Sequence, residues 1–457
     1  MIMNKTMNNT HYLYTKFIFP MNSKIILFLF ITFMFPELSF SQEVLTLEEA
    51  IKIALRNNFS INIARNEAEI ANNNSTIGLA GMLPGLDANG SYSESINNTT
   101  QEFFDGRRSE RNDAESSTLT AGISLNWTIF DGLKMFASLD RLKSLKEIGE
   151  LNFKSRVESN ISDIIITYHD IVRLNEVLEV IQSNILISEE RVKIAEDKME
   201  VGSGSRFDLR QAQVDLNEDK SSFLREELNL SQSKISLNTL LGVEANNDFS
   251  VIDTIILRED LAFEDLLPVA KEKNNQLRMA SENKIISELD ISLLRSEIFP
   301  RISINAGYDY TRSESEAGLL RINRNNGFNY GITASLNLFN GLNTRQNIEN
   351  AEINLKNYEL AYKETEQLVE ADLSNAFNRY ENRKKIVVLE KQNLVAAEEN
   401  LDIALERLRL GNITPLEFRE TQINLFGAKS RLVVAQFDAK SAETELLKIC
   451  GQLVKEK

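Results

Sequence analysis

The 457-residue chain is poor in the residue types that usually build catalytic and metal sites. It contains one cysteine, Cys450, and two histidines, of which only His169 lies beyond the N-terminal segment. A single cysteine excludes a disulfide within one chain, and the sequence shows no Cys/His cluster, phosphate-binding loop or nucleophile motif. Cys450 is expected to be a buried apolar residue at a helix end, and His169 a structural residue. We therefore expect neither an enzyme nor a cofactor or metal site.

Prolines and basic segments are also scarce. The chain has six prolines and no Pro/Gly/Ser-rich linker, so composition argues against the roughly three domains that its length alone would suggest. The formal net charge is −16, and no stretch concentrates positive charge. This argues against a nucleic-acid partner, and the acidic residues are expected on solvated helix faces.

A long apolar run that could span a membrane as a helix is missing as well. Residues 25–35 form an apolar run of eleven residues after Lys24, which is shorter than the ~20 residues of a transmembrane helix. The small-residue site Ser39-Phe40-Ser41 follows it. This arrangement is typical of a secretory signal peptide, which we predict over residues 1–41, with Met21 as a possible true start.

Two very long segments are nearly free of helix-breaking residues. Residues 342–410 contain no glycine or proline, and residues 133–201 contain only Gly149. A helix of that length would span roughly 100 Å. Helices in globular proteins usually contain only ~10–14 residues, so a compact core could not bury it. Each segment ends in a glycine turn, at 202–205 and 411–415, and Ser205 or Thr414 within the turn is a typical N-cap for a following helix. Each long helix is therefore predicted to turn back into a shorter, returning helix with coiled-coil packing.

The chain is an internal duplication. Phe130-Asp131-Gly132 recurs as Phe339-Asn340-Gly341, and Gly202 recurs as Gly411, at a constant offset of 209 residues. We predict a first repeat over 42–242, a connector over 243–262, a second repeat over 263–451 and a tail over 452–457. The first helix of each repeat, 47–82 or 263–298, is predicted to end just before Pro84 or Pro300.

Four segments alternate apolar and polar residues with a period of two, at about 85–95, 117–131, 300–312 and 327–341. Their length fits transmembrane barrel strands of about 9–11 residues, although a soluble sandwich would show the same alternation. Four strands cannot close a spanning barrel, for which about eight are needed, and lipid does not tolerate open sheet edges. Several copies must therefore share one barrel, and three copies would supply twelve strands.

The order and duplication of these motifs resemble the TolC family of outer-membrane efflux proteins across essentially the whole mature chain. The strand endings Phe130-Asp131-Gly132 and Phe339-Asn340-Gly341 and the glycine turns 202–205 and 411–414 carry the resemblance. It implies a mixed α/β membrane protein, a homotrimer with a shared twelve-stranded β-barrel in outer-membrane lipid and a periplasmic α-helical barrel. It also implies a passive exit duct that works with a periplasmic adaptor protein and, through it, an inner-membrane transporter.

The resemblance further implies roles for particular residues. Gly202, Ser205, Gly411 and Thr414 would form the adaptor-docking tips. Glu417 and Glu420, one helical turn apart, would ring the periplasmic gate, although Glu417 could equally cap its helix and Glu420 could lie on a solvated face. The arginine and tyrosine that latch the family's closed tip are replaced by Ile413 and Leu408, so Arg409 or Arg419 is left as a possible substitute.

Two other functions remain open at this point. A coiled-coil structural protein with a soluble β cap would share the long helices, and an autonomous porin would share the barrel. Helices of roughly 100 Å favour a channel linked to a pump, because a porin does not need to reach across the periplasm. The exported substrate, whether drug, metal or polypeptide, is not encoded in these features.

Overall fold

The computed structural model describes residues 44–252 and 255–453, with the side chain of Arg409 left out. The predicted signal peptide and the last four residues of the tail lie outside these ranges. The helices are α1 Leu47–Asn57, α2 Phe59–Asn74, α3 Lys134–Glu200, α4 Arg206–Leu241, α5 Phe263–Lys273, α6 Asn275–Ser296, α7 Asn343–Arg409 and α8 Pro415–Ile449. The strands are β1 Val44–Leu45, β2 Gly85–Glu102, β3 Arg108–Phe130, β4 Ser250–Val251, β5 Arg301–Ser315 and β6 Ile322–Ser335.

The long strands form one antiparallel sheet in the order β2-β3-β5-β6. Ile123 on β3 pairs with Ala88 on β2 and with Tyr308 on β5, and Tyr308 pairs with Phe328 on β6. Because side chains alternate across a strand, this register collects the apolar residues of all four strands on one face. The opposite face carries polar rows such as Ser124, Gly307 and Asn329.

The strands are longer than the sequence pattern indicates on the side of the hairpin loops. Residues 96–116, which separate the first two predicted strands, are mostly β-structure that turns at 103–107, with a bulge between Asn97 and Thr99. Conversely, β6 ends at Ser335 instead of about residue 341. Ser335 pairs with Arg301, the first residue of β5, so the chain beyond Ser335 has no partner strand among the described residues.

The first helix of each repeat is broken once, which differs from the predicted single helices. Asn58 and Asn274 lie at the breaks, and each side-chain oxygen caps the next helix by accepting from the backbone N–H of Ile61 (3.0 Å) or Leu277 (3.1 Å). Their amide nitrogens donate to the ends of the returning helices. A short polar side chain that caps in this way competes with a continuous helix. Helix α2 also ends early, at Asn74.

The helices pack side by side in one layer. Near the sheet the order is α2, α3, α6, α7, and towards the glycine turns it is α4, α3, α8, α7. Equivalent cores lie in the two repeats, around Tyr168 in the first and around Tyr380 in the second. Cys450 is buried in the second core, where burial raises the pKa of its thiol to about 12.

The two ends of this row expose apolar side chains. Helix α4 exposes Val214, Leu224 and Leu228, and α7 exposes Leu360, Val388 and Ile403. An apolar helix stripe normally packs against another element, so these faces are open for a further helix. Among the described residues, no helix is both long enough and apolar enough to span a membrane.

Candidate functional site at the hairpin tips

The two glycine turns have the same geometry. Gly202 and Gly411 adopt φ values of 75° and 74°, in the left-handed region, and a Cβ at either would meet no atom within 4 Å. Glycine is therefore required there for backbone conformation and not for space. Ser205 and Thr414 then cap the returning helices by accepting from the N–H groups of the residues three positions on, at 3.1 and 3.2 Å. The four residues predicted to form the docking tips are thus the residues that build the turns.

Apolar side chains flank both turns. Val201 and Phe207 are 77% and 74% exposed in the first, and their repeat counterparts Leu410 and Leu416 are 69% and 77% exposed in the second. Exposed apolar residues in a group, bordered by polar residues, are typical of an interaction surface. The turn residues were predicted from the sequence, whereas these apolar neighbours were not, although they share the same duplication.

Glu417 has a defined structural role. The backbone N–H and the hydroxyl of Thr414 both donate to its Oε2, each at 2.8 Å, which completes a capping box. These bonds, the backbone one foremost, lower the pKa of the Glu417 carboxyl. Glu420 lies three residues further along the same helix and is exposed. The gate role of both carboxylates stays a prediction.

Leu408 and Ile413, the two positions at which the resemblance to the TolC family implies a polar latch, are both apolar. Leu408 is buried in a cluster with Ala404 and Phe418, and Ile413 packs against this cluster. Ile187 on α3 also packs against it, so the cluster joins the second hairpin to the first.

Arg419 joins the two hairpins through charge. It donates to both carboxylate oxygens of Asp219 on α4, from Nη1 and Nη2, at 3.0 Å each. Ser188 on α3 donates to the same carboxylate at 2.6 Å. Two parallel N–H···O bonds to one carboxylate are the strongest common form of charge-assisted hydrogen bond.

A second set of bonds lies beside Arg419. Arg191 on α3 donates to Asp215 on α4 at 2.9 Å, and Gln422 on α8 donates to the side chains of Asn184 (2.8 Å) and Ser188 (3.0 Å). We call these seven buried polar residues the tip network: Asn184, Ser188, Arg191, Asp215, Asp219, Arg419 and Gln422. Two arginines balance two aspartates, so the network is neutral as well as buried.

The tip network ties α3 and α4 of the first hairpin to α8 of the second. Removing one partner of a buried ion pair typically costs about 3–5 kcal/mol, because the other charge is left uncompensated. The nearby pair between Lys220 and Glu189 is half-exposed and, as a surface pair, is worth about 0–1 kcal/mol. Arg419 was a candidate from the sequence, but its partners were not predicted. Asp215 and Asp219 lie at helical spacing from the buried Leu209 and Ala212. This spacing could have indicated that both aspartates lie on the buried face of the helix.

His169 is structural. One ring nitrogen, Nδ1, lies 2.7 Å from the carbonyl oxygen of Ile165, one turn earlier on the same helix. The ring is buried, and burial lowers the pKa of His169. Within residues 44–252 and 255–453, no group of His, Cys, Asp or Glu has an arrangement that could hold a metal ion.

Comparison with known proteins agrees with the duplication. The model of the outer membrane efflux protein family matches the chain twice, over residues 50–243 and 266–452. The outer membrane efflux protein BepC of Brucella suis is 20% identical over 416 residues, covering 89% of this chain and 86% of BepC. The outer membrane protein TolC of Vibrio cholerae is 23% identical over 360 residues, covering 76% of this chain and 80% of TolC.

The fold is also that of solved channels. The structure of the Campylobacter jejuni CmeC outer membrane channel superimposes with a TM-score of 0.74 at 18% identity, covering 89% of this chain and 85% of CmeC. With a family match in each repeat and this shared fold, the chain belongs to the outer membrane efflux protein family, the family of TolC.

Proposed function

We propose that the protein is the outer-membrane exit duct of a tripartite efflux pump or a type I secretion system, a passive conduit gated at its hairpin tips. The observation that carries this proposal is a sheet with one apolar and one polar face that continues into two 67-residue helices. The sheet is suited to lipid on one side and water on the other, and the helices are long enough to reach across the periplasm.

A homotrimer completes this duct. Strands β2 and β6 end the sheet, and α4 and α7 expose apolar faces at the ends of the helix row. Three copies would give a closed barrel of twelve strands and a helical barrel below it. The polar face, where Asn329 donates to Asp309 at 2.7 Å, would line the lumen. The mass of the detergent-solubilised particle tests this, and a folded monomer with full strand content would contradict it.

The tips would dock a periplasmic adaptor protein and, through it, an inner-membrane transporter. Gly202, Ser205, Gly411 and Thr414 set the shape of this surface, and Phe207 and Leu416 supply exposed apolar area. Full burial of one such side chain is worth about 1.5–3 kcal/mol, which is about tenfold or more in affinity.

The double variant Phe207→Glu/Leu416→Glu should therefore abolish pump-dependent drug resistance in a strain that lacks its own copy, while the trimer still assembles. Leu319→Glu is the matched control, because Leu319 is equally exposed in the hairpin loop at the opposite end of the chain's fold. Unchanged resistance in the double variant would count against docking at the tips.

Glu417 and Glu420 would place carboxylates around the aperture, where multivalent cations bind and block. Because the carboxylate of Glu417 is held in its capping box, the side chain of Glu420 is the less constrained of the two and the better one to substitute. Glu420→Gln should lessen block by trivalent cations of the purified protein in planar bilayers. Block that is unchanged by this substitution would remove Glu420 from the gate.

A further inference from the structure

We propose that the outward face of the β-sheet carries a binding site for a phosphate-bearing lipid of the outer leaflet, formed by Arg312 on β5 and Arg324 on β6. This rests on the channel proposed above, in which the apolar face of the sheet meets lipid. The observation that carries the proposal is that these two arginines lie directly opposite each other where the apolar face ends, on the side of the hairpin loops.

The apolar face has a defined height. On this face, the residues of β5 from Ile302 to Tyr310 are uncharged, and so are their partners on β6. Arg312 and Arg324 form the next pair towards the hairpin loop. The ten residues from Ile302 to Arg312 rise ~33 Å along the strand. With a tilt of about 40° they span ~25 Å, which is the height of the apolar band of an outer-membrane barrel. The two arginines therefore lie at the level of the lipid headgroups.

Two tyrosines mark the same level. The hydroxyl of Tyr92 donates to Glu94 at 3.4 Å, and the hydroxyl of Tyr308 accepts from the side-chain amide of Asn326 at 3.0 Å. Both partners lie towards the hairpin loops, so both hydroxyls are directed to that end of the band. Tyrosines with an apolar ring in lipid and a hydroxyl at the headgroups form the aromatic girdle of membrane barrels.

The positive charges of the arginine pair are incompletely balanced. Arg312 donates from Nη2 to Glu314, whereas its Nε is buried and has no hydrogen-bond partner in the described part of the chain. Arg324 is exposed and makes no ion pair with any residue in 44–252 or 255–453. Like charges directly opposite each other on neighbouring strands are destabilising. An anion held between the two guanidinium groups therefore stabilises this part of the sheet.

A lipid phosphate is the anion that suits this pair. Guanidinium groups bind phosphate oxygens through two parallel N–H···O bonds. Because Arg312 and Arg324 lie on the apolar face and at headgroup level, a phosphate carried by a lipid reaches them from the membrane. Solutes in the lumen lie on the other side of the sheet.

The arginine pair belongs to the second repeat alone. At the repeat offsets of 216 residues for β5 and 209 residues for β6, Ile96 corresponds to Arg312 and Glu115 corresponds to Arg324. Ile96 and Glu115 pair in the first hairpin as the arginines do in the second. An apolar and an acidic residue do not attract phosphate, so each chain supplies one site.

The variant Arg312→Gln/Arg324→Gln tests the site in the purified, detergent-solubilised protein. The probes are lipid A, a glycolipid with two phosphates, and the same lipid after removal of its phosphates. Native mass spectrometry measures the binding of each probe. We expect the native protein to bind the phosphorylated probe at least about tenfold more tightly, because one charge-assisted hydrogen bond corresponds to that factor or more. The double variant should bind both probes equally.

Two further variants make the result specific. Arg107→Gln/Arg108→Gln removes the same charge from the turn of the first hairpin, at the same end of the sheet, and should keep the preference for the phosphorylated probe. Arg324→Gln alone breaks no ion pair within the described ranges and should lose most of the preference, so a folding defect of the double variant cannot hide the result. A preference kept without Arg324, or lost equally in the control, would overturn the site.

Inorganic phosphate distinguishes a lipid from a free anion. In excess, it should not displace lipid A, because the acyl chains of the lipid also contact the apolar face. Full displacement would overturn a lipid as the occupant. A conducting trimer in planar bilayers that shows no preference for the phosphorylated probe would overturn this site alone, whereas a monomer without conductance would overturn the channel on which the site rests.

Discussion

The tip network makes a quantitative prediction for the variant Asp219→Leu. In the native protein Arg419 makes two 3.0 Å bonds to Asp219, whereas Asp215 is 3.7 Å from its Nε. Asp215 already accepts from Arg191 at 2.9 Å. Removing Asp219 leaves one carboxylate for two buried guanidinium groups, and the expected cost is about 3–5 kcal/mol.

Hydrogen exchange of the detergent-solubilised protein is the appropriate assay, because the loss of stability is local and global unfolding would not isolate it. The amides around Ser188 and Arg419 should lose about two to four powers of ten in protection, since each 1.4 kcal/mol corresponds to a factor of ten. Amides in the core around Tyr168 should be unaffected.

Two further variants decide whether the effect comes from an uncompensated charge. Asp219→Leu/Arg419→Met removes both partners and should recover most of the protection, because apolar replacement of a buried pair is often neutral or stabilising. Glu189→Gln breaks the half-exposed pair with Lys220 and should cost at most about 1 kcal/mol. If Asp219→Leu lost no more protection than Glu189→Gln, the tip network would not hold the hairpins together.

Two other predictions concern the body of the helical region. Burial raises the pKa of Glu158 from 4.5 to about 7, so the folded protein binds this proton more tightly than the unfolded chain does, and the stability falls as the pH rises between these values. Glu158→Gln should therefore raise the thermal midpoint at about pH 8 but not at about pH 4. An equal shift of the midpoint at both pH values would contradict this prediction. Gly132 and Gly341 both have a φ of 72°. A Cβ added at Gly132 would lie 2.4 Å from the carbonyl oxygen of Ser296, whereas the nearest atom to a Cβ at Gly341 would be a side-chain atom 3.9 Å away. Gly132→Ala should therefore lower the yield of folded protein far more than Gly341→Ala, and equal yields would show that the backbone adjusts freely around Gly132.

Much of the fold could be predicted because it depends on short-range patterns. The absence of glycine and proline from residues 342–410 predicts a very long helix, and the structure has α7 over Asn343–Arg409. The alternation in residues 117–131 predicts a two-faced strand, and the register of Ile123 with Tyr308 confirms one apolar face. These features are encoded within a few residues of each other, so a single sequence is sufficient to show them.

The errors arose where distant residues decide the outcome. Asn58 and Asn274 cap the helices that follow them, and their amide nitrogens also donate to Leu240 and Ile449, 182 and 175 residues away, which ties the breaks to the returning helices. β6 stops at Ser335 because β5 begins at Arg301. In each case the apolar pattern continues past the observed boundary, and a partner elsewhere in the chain helps to set that boundary.

The sequence by itself determined the duplication, the two long hairpins, the glycine turns and the alternation of the four strands, and the family follows from these. Only the tertiary structure decided what holds the hairpin tips together. Arg191 and Gln422 are 231 residues apart, and Arg419 and Asp219 are 200 apart, so no local pattern links them. They meet because α3, α4 and α8 pack side by side, and burial then makes their charges dependent on one another.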